Sequence, residues 1–354
     1  ACHVQLGYDG GFGDCRLRAA ATCPIKSGVR PSCLFPSPTF VRRALFLTLL
    51  AASGVAPGLV RQAAAQEAEI KAYVVADDKT GHIFAQSHAN DKLQVGSLTK
   101  IATALVVLDW ARLGGHTLDQ SVTLEEDTAA AAGVNPVGLQ PGDEVSLRDL
   151  LYAALLQSDN IAADALAEFV GRALPPNSEG SFPPMVRFVM EMNALARSQG
   201  MLRTRFLNPS GLDTVERPYS TAVDLGRLTH LALSKADFRF FVQQKERRIT
   251  INRAGVASGY LLRNTNELLG ANGVDGVKTG QTARAGSCVI ISAARTPIVV
   301  QEGERSVVRP RRLIVVVLGS GDRFRDAARL LDQGVSSYDA WSAAGSPADP
   351  KATL

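Results

Sequence analysis

A chain of 354 residues that is 46% hydrophobic can bury a substantial core, which excludes a protein disordered over most of its length. Its 38 basic and 34 acidic residues leave a net charge of +4 spread along the sequence, so the basic stripe that nucleic acid requires is missing.

The stretch VRRALFLTLLAASGVAPGLVRQAAAQ joins Arg42 and Arg43 to a short apolar run and then to Ala63, Ala64 and Ala65. This pattern predicts an export signal over 41–65, cleaved after Ala65; the apolar run is too short and interrupted for a membrane anchor. The arginine pair also admits a twin-arginine signal. Residues 1–40 would then precede a signal peptide, and the first methionine is Met185. Translation is therefore expected to start at Val41 from a GTG codon, with 1–40 an artefact of the assigned start or else a disordered extension. Cys2, Cys15, Cys23 and Cys33 fall in that segment, so Cys288 stands without a disulfide partner in the exported part. Within SCVIISAA it reads as a buried structural thiol.

After the signal, IKAYVVADDKTGHIFAQSH predicts two strands joined by a tight turn at Asp78-Lys79-Thr80-Gly81. SLTKIATALVVLDWARLGG, apolar almost all round, predicts a buried helix stopped by Gly114 and Gly115. Helices follow at SLRDLLYAALLQ, opened by the capping pair Ser146 and Asp149, at NIAADALAEFVG, ending on Gly171, and at MVRFVMEMNALARSQG, ending on Gly200. Thr221 and Asp224 repeat the capping spacing before LGRLTHLALS. Beyond residue 245 the period shortens: RRITIN, YLLRNTN, VDGVKTG, GSCVIISAA and RRLIVVVLGS are strand-like, TPIVVQEGERSVVRP is an extended hairpin, and RFRDAARLLDQGVSSYDAW is a closing helix. The order implies an α/β (α+β) fold: an antiparallel sheet flanked by helices, its two parts separated by a largely helical insertion at about 96–245. The domain is expected over 66–341, with 342–354 a C-terminal tail.

Three short motifs could carry chemistry. Ser97 and Lys100, at i and i+3 on a helix, share a face, and a lysine desolvated by an apolar helix can act as base toward a serine hydroxyl. An N-cap serine and a solvated lysine explain the same letters. Ser158, Asp159 and Asn160 stand at a break between apolar helices, where a hydroxyl and an amide can point into a cleft or simply cap the next helix. Lys-Thr-Gly occurs twice, at 79–81 as a hairpin turn and at 278–280 as a strand end, where a glycine lets a substrate backbone approach the sheet edge.

Ser-x-x-Lys, Ser-Asp-Asn and Lys-Thr-Gly, in that order, resemble the penicillin-recognising serine enzymes, the DD-peptidases and class A β-lactamases. QVGSLTKIATALV, LQPGDEVSLRDLLYAALLQSDNIAADALAE, TRFLNPSGLD, STAVDLGRL and NTNELLGANGVDGVKTGQTARAGSCV look more like the low-molecular-mass D-alanyl-D-alanine carboxypeptidases, over about Ala72 to Trp341. No segment resembles the glutamate-bearing loop of class A β-lactamases. The resemblance implies a DD-peptidase/β-lactamase-like fold in which Ser97 is the nucleophile, Lys100 its base, Ser158 a proton relay and Asn160 a holder of Lys100 and the substrate amide. It implies that Lys278, with Thr279 and Gly280, receives a substrate carboxylate and helps keep Lys100 neutral. The N–H groups of Ser97 and Gln281 would form the oxyanion hole. An arginine ahead of the closing helix, Arg323 or else Arg325, would bind the same carboxylate. The implied reaction removes the terminal D-alanine of peptidoglycan stem peptides, without metal or organic cofactor, is blocked covalently by β-lactams, and takes place outside the cytoplasm with no stable anchor once the signal is cleaved. A DD-endopeptidase, a β-lactamase and a catalytically silent peptidoglycan-binding or β-lactam-sensing protein are the alternatives. Gln281 stands where the family often has histidine or an aromatic, and no second β-rich domain or amphipathic anchor follows the closing helix.

Overall fold

The computed structural model describes residues 70–129, 133–175, 182–303 and 305–354; the expected signal at 41–65 and the segment before it lie outside the described residues. Strands β1 (Ala72–Asp77) and β2 (Ile83–Ser87) form the predicted hairpin. In its turn Thr80 donates from both its amide and its hydroxyl to Asp77 Oδ2. A 3₁₀ turn (Gly96–Thr99) leads into helix α1 (Lys100–Gly114), in which every residue from Lys100 to Leu108 is buried and Gly115, with φ 66°, forms the left-handed cap. Next come β3 (Ser121–Thr123), α2 (Glu126–Ala129), β4 (Glu144–Ser146), α3 (Leu147–Leu156), α4 (Asn160–Ala173), α5 (Pro184–Ser198), α6 (Ala222–Ser234) and α7 (Ala236–Val242). Ser146 and Thr221 cap α3 and α6 by accepting from the amides of Asp149 and Asp224, each cap stabilising its helix by about 1 kcal/mol. The chain closes with β5 (Glu246–Arg253), β6 (Val256–Arg263), β7 (Val274–Thr282), β8 (Gly286–Glu302), β9 (Arg305–Ser320) and α8 (Arg323–Ala343).

The main sheet is antiparallel with strand order β2-β1-β9-β8-β7. Its central strands are continuous apolar runs because both faces are covered. Alternate residues Val74, Ala76, Ile314, Val316, Cys288 and Ile290 join the core shared with the helical region. Val75, Val315, Val317, Val289 and Ile291 point the other way, toward Leu330 and Leu331 of α8. Strand β7 is left at the edge of this sheet, beside the 3₁₀ turn.

The structure corrects several expectations. RRITIN and YLLRNTN do not extend the main sheet: β5 and β6 join β3 and β4, two short strands inside the nominally helical insertion, in a separate sheet of order β3-β4-β5-β6. Gly171 does not end its helix, since α4 runs to Ala173. A Cβ there would stand 2.1 Å from the Pro184 carbonyl, so this glycine lets α5 start against α4. The extended hairpin is the outer part of β8 and β9 themselves, paired out to Glu302 and Arg305. The tail returns to the first hairpin, where Ile83 donates to the Ala352 carbonyl and Leu354 to the Gly81 carbonyl. Among the described residues no helix is long and apolar enough to cross a membrane.

Candidate active site

Ser97 lies in the 3₁₀ turn ahead of α1, not on the α-helix as predicted, yet the three-residue spacing still brings Lys100 Nζ to 3.0 Å from its Oγ. This turn seats directly on β7. A Cβ at Gly280 would come 2.8 Å from the Val95 carbonyl, and one at Gly96 3.2 Å from the backbone nitrogen of Gln281. Gly280 therefore makes room for the Ser97 turn, and it lies within β7, which continues to Thr282, not at the strand end. The same contact sets the Gln281 backbone nitrogen against Gly96, the residue before Ser97.

Lys100 is wholly buried, with 0% exposure. Its Nζ reaches Asn160 Oδ1 at 2.6 Å and the Ser210 carbonyl at 2.8 Å. A neutral amine has two N–H bonds and one lone pair, so donation to these two oxygens leaves the lone pair for the Ser97 hydroxyl proton. Burial pulls Lys100 down to about 7, against the Asp164 and Asp159 carboxylates, which favour its charged form. Burial is the chief cause; Lys278, expected from the sequence to keep Lys100 neutral, is not the main one. The influence is visible in the other direction, because Lys278 is lowered well below the ordinary lysine value by burial, then by Lys100 and by Arg323.

Ser158 and Asn160 sit at the predicted break between α3 and α4. Asp159 caps α4, accepting from the amides of Ala162 and Val137, and Ser158 takes a left-handed φ of 64° in the bend. With Oδ1 given to Lys100, the Asn160 amide presents its Nδ2 donors elsewhere, and the backbone N–H of Asn160 is held by the Val134 carbonyl. Ser97 and Ser158 are both partly exposed.

Lys278 and Thr279 are buried on β7, and Lys278 Nζ donates to the Thr279 carbonyl at 3.1 Å. Arg323, half-buried at the start of α8, donates to the Gly280 carbonyl at 3.2 Å. Arg325 is exposed and pairs with Asp322 and Asp326. Of the two arginines, Arg323 is the one beside Lys-Thr-Gly. The Gln281 side chain is exposed at the end of the same edge. Lys79 of the other Lys-Thr-Gly is exposed in its turn, and Cys288 is fully buried with its thiol pushed up to about 11 by burial.

Three contributors escaped the sequence reading. The turn Asn208-Pro209-Ser210-Gly211 lends successive carbonyls to α1: Pro209 to Thr103 Oγ1 at 2.7 Å and Ser210 to Lys100. Asn208 Oδ1 shapes the turn by accepting from the amides of Gly211 and Leu212. Thr265 Oγ1 lies 2.7 Å from Thr279 Oγ1 and donates to the Leu156 carbonyl at 3.1 Å. Asp164, 7% exposed on α4, is pushed up to about 7 by burial, against the nearby positive charge of Lys100. Asn208-Pro209-Ser210-Gly211 had a legible turn signal; Thr265 and Asp164 had none. Among the described residues no group of three or more His, Cys, Asp or Glu is gathered as a metal would require.

A serine 3.0 Å from a buried lysine amine, in a turn packed on the edge strand of a sheet flanked by helices, is the arrangement of the penicillin-recognising serine peptidases. The chain belongs to the D-alanyl-D-alanine carboxypeptidase family, peptidase S11, which it matches over residues 60–302. It is 30% identical over 275 residues to the D-alanyl-D-alanine carboxypeptidase DacF of Bacillus subtilis, covering 77% of this chain and 63% of that protein. It thus spans somewhat less than two thirds of that relative's length. It is 31% identical over 296 residues to a D-alanyl-D-alanine endopeptidase of Pseudomonas aeruginosa, covering 81% and 84% of the two chains. Among solved structures, penicillin-binding protein D2 of Listeria monocytogenes in its ampicillin-bound form is similar with a TM-score of 0.59 and 28% identity, over 75% of this chain and 97% of that one.

Proposed function

We propose that the protein is a serine D-alanyl-D-alanine carboxypeptidase that trims peptidoglycan stem peptides. The observation that carries this reading is the buried Lys100 amine, 3.0 Å from Ser97 Oγ and tied by Asn160 and the Ser210 carbonyl. Lys100 takes the hydroxyl proton as Ser97 attacks the carbonyl of the penultimate D-alanine. The N–H groups of Ser97 and Gln281 receive the developing oxyanion, each such donor lowering the barrier by about 3–4 kcal/mol. Ser158 passes the proton to the departing D-alanine amine, and water then hydrolyses the acyl-serine. Asn160 orients Lys100 and offers Nδ2 to the substrate amide. Lys278, Thr279 and Arg323 bind the terminal carboxylate, and Gly280 lets the Ser97 turn close on their strand. Export through the signal at 41–65 brings the enzyme to its substrate in the periplasm or its equivalent, in soluble form.

A β-lactam presents the same acylation centre in a strained ring, so it acylates Ser97 and stays. Incubation with a fluorescent penicillin followed by peptide mass spectrometry should place the label on Ser97 and nowhere in Ser97→Ala; a label elsewhere would overturn the assignment. The Pseudomonas endopeptidase, matched over 84% of its own length, favours a second substrate, the D-alanyl cross-link between stem peptides, cut by the same groups.

A further inference from the structure

The segment 133–139, between α2 and β4, has no part in the mechanism above, yet it meets the Ser158-Asp159-Asn160 bend at three points. The Val134 carbonyl accepts the backbone N–H of Asn160 at 2.9 Å, and the Val137 amide donates to Asp159 Oδ2 at 3.2 Å. The third point is Gly133, with φ 131°, which lies against the Asn160 side chain. A Cβ there would stand 2.2 Å from Asn160 Nδ2 and 3.1 Å from Leu212 Cδ1. The segment is held in turn from the second sheet. Tyr260 of β6 donates its hydroxyl to the Pro136 carbonyl at 2.9 Å. Arg253 of β5 donates to the Gly138 carbonyl at 2.9 Å while it forks onto the buried Asp143 carboxylate. Asn135 Oδ1 closes the turn from within, accepting from the amides of Gly138 and Leu139.

We propose that Gly133 is a positioning residue for acyl transfer: its backbone, braced from β5 and β6, packs on the Asn160 carboxamide and fixes how Asn160 faces Lys100. The inference rests on reading Ser97 as nucleophile and Lys100 as its base. A carboxamide has an accepting end and a donating end. Asn160 gives the accepting end to Lys100 Nζ at 2.6 Å, and its donating end fills the space that a side chain at 133 would need. An added methyl is accommodated by swinging Nδ2, the tip of a side chain, which costs the fold little. The same swing takes Oδ1 off Lys100, so the cost falls on the site. Gly133 thus holds Asn160 by having no side chain, and the small sheet gains a role in keeping that contact closed.

The test is a double-mutant cycle on the whole chain: wild type, Gly133→Ala, Asn160→Ala and the double variant, each followed by the rate of Ser97 labelling with a fluorescent penicillin. Gly133→Ala should slow labelling about ten- to a hundredfold, the scale of a misplaced catalytic group. The double variant should label no more slowly than Asn160→Ala, because the atom that clashes is gone. An equal loss in both backgrounds would mean that alanine acts through strain in the loop, and would overturn the proposal, as would no loss in the first. Should Gly133→Ala fail to fold, Tyr260→Phe replaces it in the cycle; it removes only the hydroxyl on Pro136 and should slow labelling several-fold where Asn160 is present. A rate equal to wild type would then refute the bracing. If Asn160→Ala labels too slowly to compare, NMR of asparagine-labelled protein decides. The side-chain amide pair missing from the Asn160→Ala spectrum should be displaced in Gly133→Ala, or in Tyr260→Phe; a pair that stays in place would contradict the proposal. Wild-type protein left unlabelled at Ser97 would overturn the nucleophile reading itself, while the amide pair would still report whether Gly133 holds Asn160.

Discussion

Lys100 Nζ stands 3.0 Å from Ser97 Oγ while its own side chain is wholly out of water. Burial pulls Lys100 down to about 7, so the amine is neutral above that pH and protonated below it. A protonated lysine cannot take the Ser97 proton. Acylation should therefore fall about tenfold per unit as pH drops below about 7, and level off above it. Lys100→Met should lose acylation by a factor on the order of 10² to 10⁴ with an unchanged melting temperature. Stopped-flow acylation across pH checks both; a rate that rises toward acid would contradict the neutral-base account.

Gly211, with φ 82°, packs where a Cβ would stand 2.0 Å from the Gly96 carbonyl. Gly211→Ala should destabilise the fold by about 1–3 kcal/mol through overpacking and slow acylation besides, because the Ser210 carbonyl shifts off Lys100. Denaturant melts and acylation rates on the same samples would show it. A stable variant of normal rate would mean that the turn does not hold Lys100.

The two Lys-Thr-Gly copies should respond differently. Lys79 is exposed in a hairpin turn, so Lys79→Ala should change stability by less than about 0.5 kcal/mol and leave turnover alone. Lys278→Ala removes a buried amine whose proposed part is to bind the substrate carboxylate, and it should raise KM about ten- to a hundred-fold, the scale of a lost charge-assisted bond. Steady-state kinetics of both variants would decide, and a large loss with Lys79→Ala would reverse the division.

Thr265 Oγ1 sits 2.7 Å from Thr279 Oγ1. If its hydroxyl orients Thr279 toward the substrate carboxylate, Thr265→Val should lower kcat/KM about five- to tenfold, mostly through KM, and Thr265→Ser should restore it. The Leu156 carbonyl keeps the Thr265 backbone N–H, so the fold should survive the change. Equal kinetics for Thr265→Val and wild type would remove Thr265 from the site.

Much of this site was legible in the sequence because its side chains announce themselves. The Ser97 and Lys100 spacing, the Ser158 to Asn160 break, the capping serine and threonine at 146 and 221, and the hairpin around Lys79 all follow from local rules. What escaped depends on distance or on the backbone. The Ser210 carbonyl that holds Lys100 lies 110 residues away, and a carbonyl has no letter of its own. Asp164 reads as one polar position on an amphipathic helix until α1 is packed against it. Gly171 reads as a helix end and Gly280 as a substrate approach, and neither reading reveals that each makes room for another segment of this chain, at Pro184 and Val95. Strands of three residues, as in β3 and β4, are too short to show a period between helices.

The most direct test of the account is D-alanine release from a peptide ending in D-Ala-D-Ala, by the protein from residue 66 onward and by its Ser97→Ala variant. The account predicts release by the former and none by the latter, with both folded. Release that persists without the Ser97 hydroxyl, or none from folded wild-type protein, would contradict it.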